Sequence, residues 1–349
     1  MRWGLLLLVA ACSSGSSGTD EPPRRASFAG ARFDARGMSR PIRVAVPERT
    51  RSLAVVVRGD DQALYALASL ETADGVEHVQ LPDDLDLPAA MREQYIEEEV
   101  GLMPGALHQS IRLGTFTAIY PDRPGQALPG GEAVLRIATT EPGVPVDVEV
   151  LMPPDDGARI LPVNVFAVSS AFSYRGKREL PFLPGLQTIL GAAGVEISVE
   201  RVVDLPDSGL SRMEELSRPQ EPPGSRSAQL ALVGGAMVQG DALNLFVVDA
   251  LPEGVIGWSL GTPGPPIPDT CYSGVVASHA HEKDLPRALA HEIGHYLGLA
   301  HPVDIGRSGT AYPDPLDDTE SGRGNLMSGD GVALTADQAF VVSRSPLLR

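Results

Sequence analysis

Residues 291–301 read HEIGHYLGLAH, and this stretch restricts the fold more tightly than any other. His291 and His295 are four apart, so on an α-helix the second side chain is turned only about 40° from the first. Both imidazoles then face one way and can share one metal ion. Glu292 follows the first histidine and can lean toward a water on that metal without being a ligand. His301 lies six beyond His295, where a continuous helix would carry it roughly 240° round, onto the wrong face. The helix therefore has to end and the chain has to turn back. Gly298 stands three after His295, where glycine can take the positive φ that ends helices. Three protein ligands with one position open is the arrangement of catalytic zinc, whereas structural zinc is usually closed by four.

The chain around this motif has 349 residues, room for about two domains. Its hydrophobic content of 43% suits a globular protein with a real core. The net charge of −17 argues against a nucleic-acid partner, since binding phosphates needs a basic surface. The 37 glycines and 31 prolines point to many loops and short strands rather than long helices.

Arg2 precedes a short apolar run, Trp3 to Ala11, that is too short to cross a bilayer and reads as an export signal over residues 1–11. The run ends in Val9-Ala10-Ala11-Cys12, with SSGSSGTD behind it. This resembles the lipobox of bacterial lipoproteins, in which the cysteine is lipidated and becomes the mature N-terminus. The resemblance implies a membrane anchor at Cys12, and Ser13 behind it resembles the sorting pattern for the outer membrane. An ordinary signal peptide cleaved nearby is the other reading, and both place the mature chain outside the cytoplasm. Cys12 and Cys271 are the only cysteines, so no disulfide framework is available if Cys12 carries lipid.

Residues 12–40 are rich in Ser, Gly, Pro and Arg and read as a flexible tether. From Pro41 the runs IRVAVP, SLAVVVRG, ALYALASLE, TFTAIYP, AVLRIATT and VDVEVLMP are short and alternating or β-branched, with turn residues between them. They predict an antiparallel β-sandwich over 41–154, interrupted by an acidic helix near 89–100. After the MPPDDG boundary come the strand candidates ILPVNVFAVS, EISVERVVDL, LNLFVVDAL, VIGWSL and SGVVASHA, with a helix predicted over 179–195 and another from Asp284. Strands mixed with helices imply an α/β or α+β domain over 155–349. The expected fold is thus multidomain, with the sandwich folding by itself and contributing no catalytic group.

HEIGHYLGLAH resembles the HExxHxxGxxH zinc signature of the metzincin metallopeptidases. That clan has a methionine turn downstream of the third histidine, and NLMSGDG offers Met327 there. The order LNLFVVD, VIGWSLG, SGVVAS and zinc helix is similar to pappalysin-like members. Pro302 is more reminiscent of serralysins, whose calcium repeats this sequence lacks, and no tyrosine lies two residues after Met327. The resemblance implies one catalytic zinc on His291, His295 and His301, with Glu292 as general base and Met327 as a packing floor rather than a ligand. It also implies an extended peptide or protein substrate lying along the edge strand Val255, Ile256, Gly257, Trp258, Ser259 and Leu260.

Three further groups carry weaker signals. Tyr312 is a candidate to stabilise the transition state, the plainer reading being an ordinary loop tyrosine. Asp314, Asp317 and Asp318 suggest calcium, but their spacing matches no EF-hand loop, and capping of a local turn is the plainer reading. Cys271 could in principle block the open metal position, against the plainer reading of a small buried residue. The rival to an endopeptidase is a silent or non-peptidase zinc-binding envelope lipoprotein that binds protein or carbohydrate through its sandwich. Glu292, which such a protein has no need to keep, speaks for the enzyme. For the anchor, detergent partitioning should place the wild type in the detergent phase and Cys12→Ala in the aqueous phase. A wild type found wholly in the aqueous phase removes the lipoprotein reading.

Overall fold

The structure is a computed structural model that describes residues 24–60, 62–80, 86, 88–92, 109–111, 113–157, 159–169, 172–174, 180–205, 212, 242–252, 254–266, 273–306, 308–319, 324–328 and 331–349. The expected export signal, Cys12 and Cys271 lie outside the described residues. So does most of the acidic helix expected near 89–100, of which 88–92 are helical.

The first half is built from antiparallel strands: β1 (Arg25–Ala31), β2 (Ile42–Val46), β3 (Leu53–Arg58), β4 (Tyr65–Glu71), β5 (Glu77–Gln80), β6 (Gln109–Ile111), β7 (Thr115–Tyr120), β8 (Gly131–Thr139) and β9 (Val146–Leu151). They form one sheet ordered β1-β9-β3-β7-β6 and another ordered β2-β8-β4-β5. Alternate side chains of both sheets meet in one buried cluster, including Val44, Val55, Leu67, Phe116, Leu135 and Val148. This follows from the period of two along each strand, which sends every second residue to the same side. The tether expected to reach residue 40 is shorter than that. Residues 25–31 form β1, paired with β9 from Arg25↔Leu151 to Ala31↔Val146.

The second half contains β10 (Ile160–Val168), α1 (Leu183–Gly191), β11 (Glu196–Asp204), β12 (Leu243–Val248), β13 (Gly257–Ser259), β14 (Val275–Ser278), α2 (Leu285–Tyr296), β15 (Val303–Ile305), β16 (Ala311–Pro313) and α3 (Ala336–Ser343). Its main sheet runs β11-β10-β12-β14-β13. The first four strands are parallel, and β13 closes the edge antiparallel to β14. Val163, Val165 and Ala167 of β10 point to a core shared with Leu186 of α1, Ile293 of α2 and Val342 of α3. Phe166 and Val168 point the other way, to a second cluster with Phe246 and Leu260. Burial of these central strands on both faces explains why β10 and β12 read as apolar runs interrupted only by Asn164 and Asn244, which bond each other at 3.1 Å. The whole is a sheet-rich α+β chain.

Arg51 joins the halves. It is 1% exposed, the largest of the fully buried side chains. Its Nη2 donates to the carbonyls of Ser345, at 3.0 Å, and Leu348, at 2.8 Å, just beyond α3. Ser52 Oγ donates to Arg344 O at 2.6 Å, and Arg344 Nη1 returns a bond to Arg51 O at 3.1 Å. The chain end is tied in as well, since Ile160 and Arg349 exchange both backbone bonds at 2.9 Å. Arg51→Leu strips two buried carbonyls of a charged donor, so it should cost about 2 kcal/mol. Calorimetry should show melting several degrees lower. An unchanged melting curve would mean that the joint carries no stability.

Candidate metal centre

α2 begins with Pro286 in its first turn, where the missing N–H is not needed, and runs to Tyr296. It carries His291 and His295 on one face. The helix ends because Gly298 takes φ +115, a conformation that side-chain-bearing residues rarely adopt. Its N–H bonds His295 O, while Leu299 N–H bonds Gly294 O, which turns the chain back under the helix. His301 is thereby delivered to the other two histidines.

The three Nε2 atoms converge. His291 and His295 are 3.1 Å apart, His295 and His301 3.1 Å, and His301 and His291 3.3 Å. Each Nδ1 is committed elsewhere. That of His291 meets Leu326 O at 2.8 Å, that of His295 meets Leu299 O at 2.8 Å, and that of His301 meets Asp304 Oδ1 at 2.6 Å. A carbonyl only accepts, so in the first two histidines Nδ1 carries the proton and Nε2 presents a lone pair. Burial pushes His291 down to about 4, which keeps it neutral, the form that binds metal. Lone pairs at these separations repel unless a cation lies between them. Nitrogens about 2.0–2.1 Å from a tetrahedral zinc would stand roughly 3.3 Å from one another, so the histidines fit that ion. Among the described residues this is the group of three that could hold a metal.

Glu292 packs against β13. A Cβ on Gly257 would lie 2.8 Å from its Cγ and 2.9 Å from its Oε1, so glycine leaves the room that this carboxyl occupies. Glu292 is 7% exposed. Burial pushes its pKa up to about 8, while a backbone hydrogen bond from Ser259 acts in the other direction, as would a dication on the adjacent histidines. Met327 is fully buried under α2, where a Cβ on Gly294 would come within 2.8 Å of its sulfur. It packs against the helix backbone at Gly294.

The other candidates separate. Of Val255–Leu260, residues Gly257–Ser259 form β13, the edge strand next to β14. Tyr312 lies on β16, directly opposite Asp304 in the β15–β16 hairpin. Asp314 accepts Leu316 N–H at 3.2 Å and the Thr319 hydroxyl, and Asp318 accepts Asp337 N–H at 3.1 Å. These are turn- and helix-capping roles, and burial pushes Asp314 up to about 6. Sequence reasoning passed over Asp304, although a carboxylate three residues after the third histidine is a signal for a partner that orients it.

No family model and no curated protein matches this sequence. Among solved structures, archaemetzincin from Methanopyrus kandleri overlaps 55% of this chain and 89% of its own at 16% identity, with a TM-score of 0.28. Metalloproteinase-II from Bacteroides fragilis overlaps 54% of this chain and 49% of its own at 15% identity, with a TM-score of 0.30. The second is a metalloproteinase by name, but overlaps this loose carry neither fold nor chemistry across to this chain. What is known of the site rests on the histidine geometry.

Two substitutions probe that geometry. His301→Ala removes one of three ligands and should sharply weaken zinc retention against a chelator. Asp304→Ala keeps all three ligands and should weaken it by about 10- to 100-fold, the usual scale for an outer-shell partner. Zinc affinity unchanged in His301→Ala would dismiss the three-histidine site.

Proposed function

We propose that this chain is a zinc-dependent endopeptidase of metzincin-like kind. The observation that carries the reading is the convergence of three Nε2 atoms within 3.3 Å on the helix turn that also bears a buried Glu292. His291, His295 and His301 would hold the ion, with Leu326, Leu299 and Asp304 orienting them. Zinc bound there polarises a carbonyl oxygen and acidifies water. Glu292 takes the proton from the attacking water and passes it to the leaving amine, a role suited to a carboxyl whose proton affinity is raised by burial.

Substrate binding follows from the edge. β13 ends its sheet, and those of its outer backbone groups that Glu292 does not take could pair with an extended peptide, which would add as one more strand. The chain is further read as an exported lipoprotein anchored through Cys12, outer-membrane sorting included. Its first half is read as a β-sandwich module ending near residue 154. The two antiparallel sheets sharing one core support that last point.

Glu292→Gln should keep the fold and the metal, because neither needs the charge. It should lower peptide hydrolysis by at least about a hundredfold. Zinc content and melting are measured beside cleavage of a broad peptide library. A variant that holds zinc and cleaves at the wild-type rate shows that Glu292 is not the base. A wild type that holds zinc and cleaves nothing leaves the chain a binding protein.

A further inference from the structure

α3 acts on the first histidine without touching it. Its N-terminus is a closed capping box, in which Thr335 Oγ1 accepts Gln338 N–H at 3.2 Å and Gln338 Oε1 accepts Thr335 N–H at 3.1 Å. Such a box by itself only satisfies the first N–H groups of a helix. Here the glutamine does more. It is 0% exposed, and its amide pairs face to face with that of Asn325. Gln338 Nε2 donates to Asn325 Oδ1, and Asn325 Nδ2 donates to Gln338 Oε1, both at 3.3 Å. Asn325 Oδ1 also accepts Met327 N–H at 2.8 Å. Leu326, between them, gives its own N–H to Ala333 O at 2.7 Å. The peptide groups on both sides of Leu326 are held in this way. Its carbonyl is left aimed at His291 Nδ1, 2.8 Å away.

We propose that Gln338 is a positioning residue for the metal site. Paired with Asn325, it fixes the Leu326 carbonyl that keeps the proton on Nδ1 of His291, so that Nε2 faces the ion. The proposal rests on the histidines binding metal, as in the proposed function, but not on peptide hydrolysis. The physical reason is economy of motion. An imidazole held at one nitrogen still swings about its Cβ–Cγ bond unless the acceptor is itself rigid, and a carbonyl in a loop is rigid only if its flanking peptides are tied.

The test uses the full chain loaded with zinc, and with cobalt as a coloured substitute whose visible bands report ligand geometry. Gln338→Leu keeps the bulk and removes the amide pair. It should release zinc to a chelator about tenfold more readily and shift the cobalt bands. Thr335→Ala breaks the capping box but leaves the Gln338–Asn325 pair. It should lower the melting temperature with zinc retention and cobalt bands unchanged. If Gln338→Leu fails to fold, Gln338→Glu replaces it, since it loses only the donor to Asn325, and it should show the same changes in smaller degree. Zinc retention and bands at wild-type values in the folded glutamine variant overturn the proposal. So does a Thr335→Ala variant that shifts both as far as the glutamine variant does. A wild type that binds neither ion overturns the metal site and this proposal together. A wild type that binds metal yet cleaves no peptide overturns the peptidase reading, and the result for Gln338 stands.

Discussion

Three imidazole Nε2 atoms face one another at 3.1–3.3 Å, and their lone pairs repel unless a cation lies between them. Each ring has to be held against that repulsion by a partner on its far side. The partners come from three places: the methionine turn at Leu326, the helix-ending turn at Leu299, and the β15–β16 hairpin at Asp304. Much of the second half can be read as the means of fixing these acceptors. The parallel sheet carries α2, the positive φ of Gly298 frees the turn, and the buried methionine spaces the floor.

The same logic reaches into the first half. α3 is tied at its beginning to the methionine turn and beyond its end to Arg51. A buried guanidinium that donates to backbone carbonyls is directional and strong, and its loss leaves acceptors that water cannot reach. The two halves are therefore not beads on a string. The expectation of a freely separable sandwich passes over a joint that sequence patterns do not reveal, because its acceptors are backbone atoms.

What could be read from the sequence follows from where the information sits. β3 and β10 were legible because central strands are apolar along their length. The zinc helix and its break were legible because ligand spacing and glycine encode geometry directly. β1 was read as tether because its residues alternate between exposed and half-buried, so no apolar run marks it, and its strand character comes from pairing with β9. The β15–β16 hairpin consists of two three-residue strands without a buried face, invisible to periodicity, and passing over it meant passing over Asp304 as well. VIGWSL has the composition of a six-residue strand; Gly257–Ser259 form the ladder with β14, and Ile256 and Leu260 each add one backbone bond, to Ser278 and Gly274. Leu326 and Leu299 act through carbonyls, which every residue has, so no side chain announces them.

The three outer partners are unequal in kind: two are neutral carbonyls and the third is the carboxylate of Asp304. That asymmetry sets the electrical sum of the pocket. A dication among neutral imidazoles would leave two positive charges in a poorly solvated space, which is costly. Asp304, bonded to His301 Nδ1, is the carboxylate that would stand against that charge from behind the ligands. An ion held there would thus meet a carboxylate behind one ligand and neutral carbonyls behind the other two, so the three histidines would not share its charge equally.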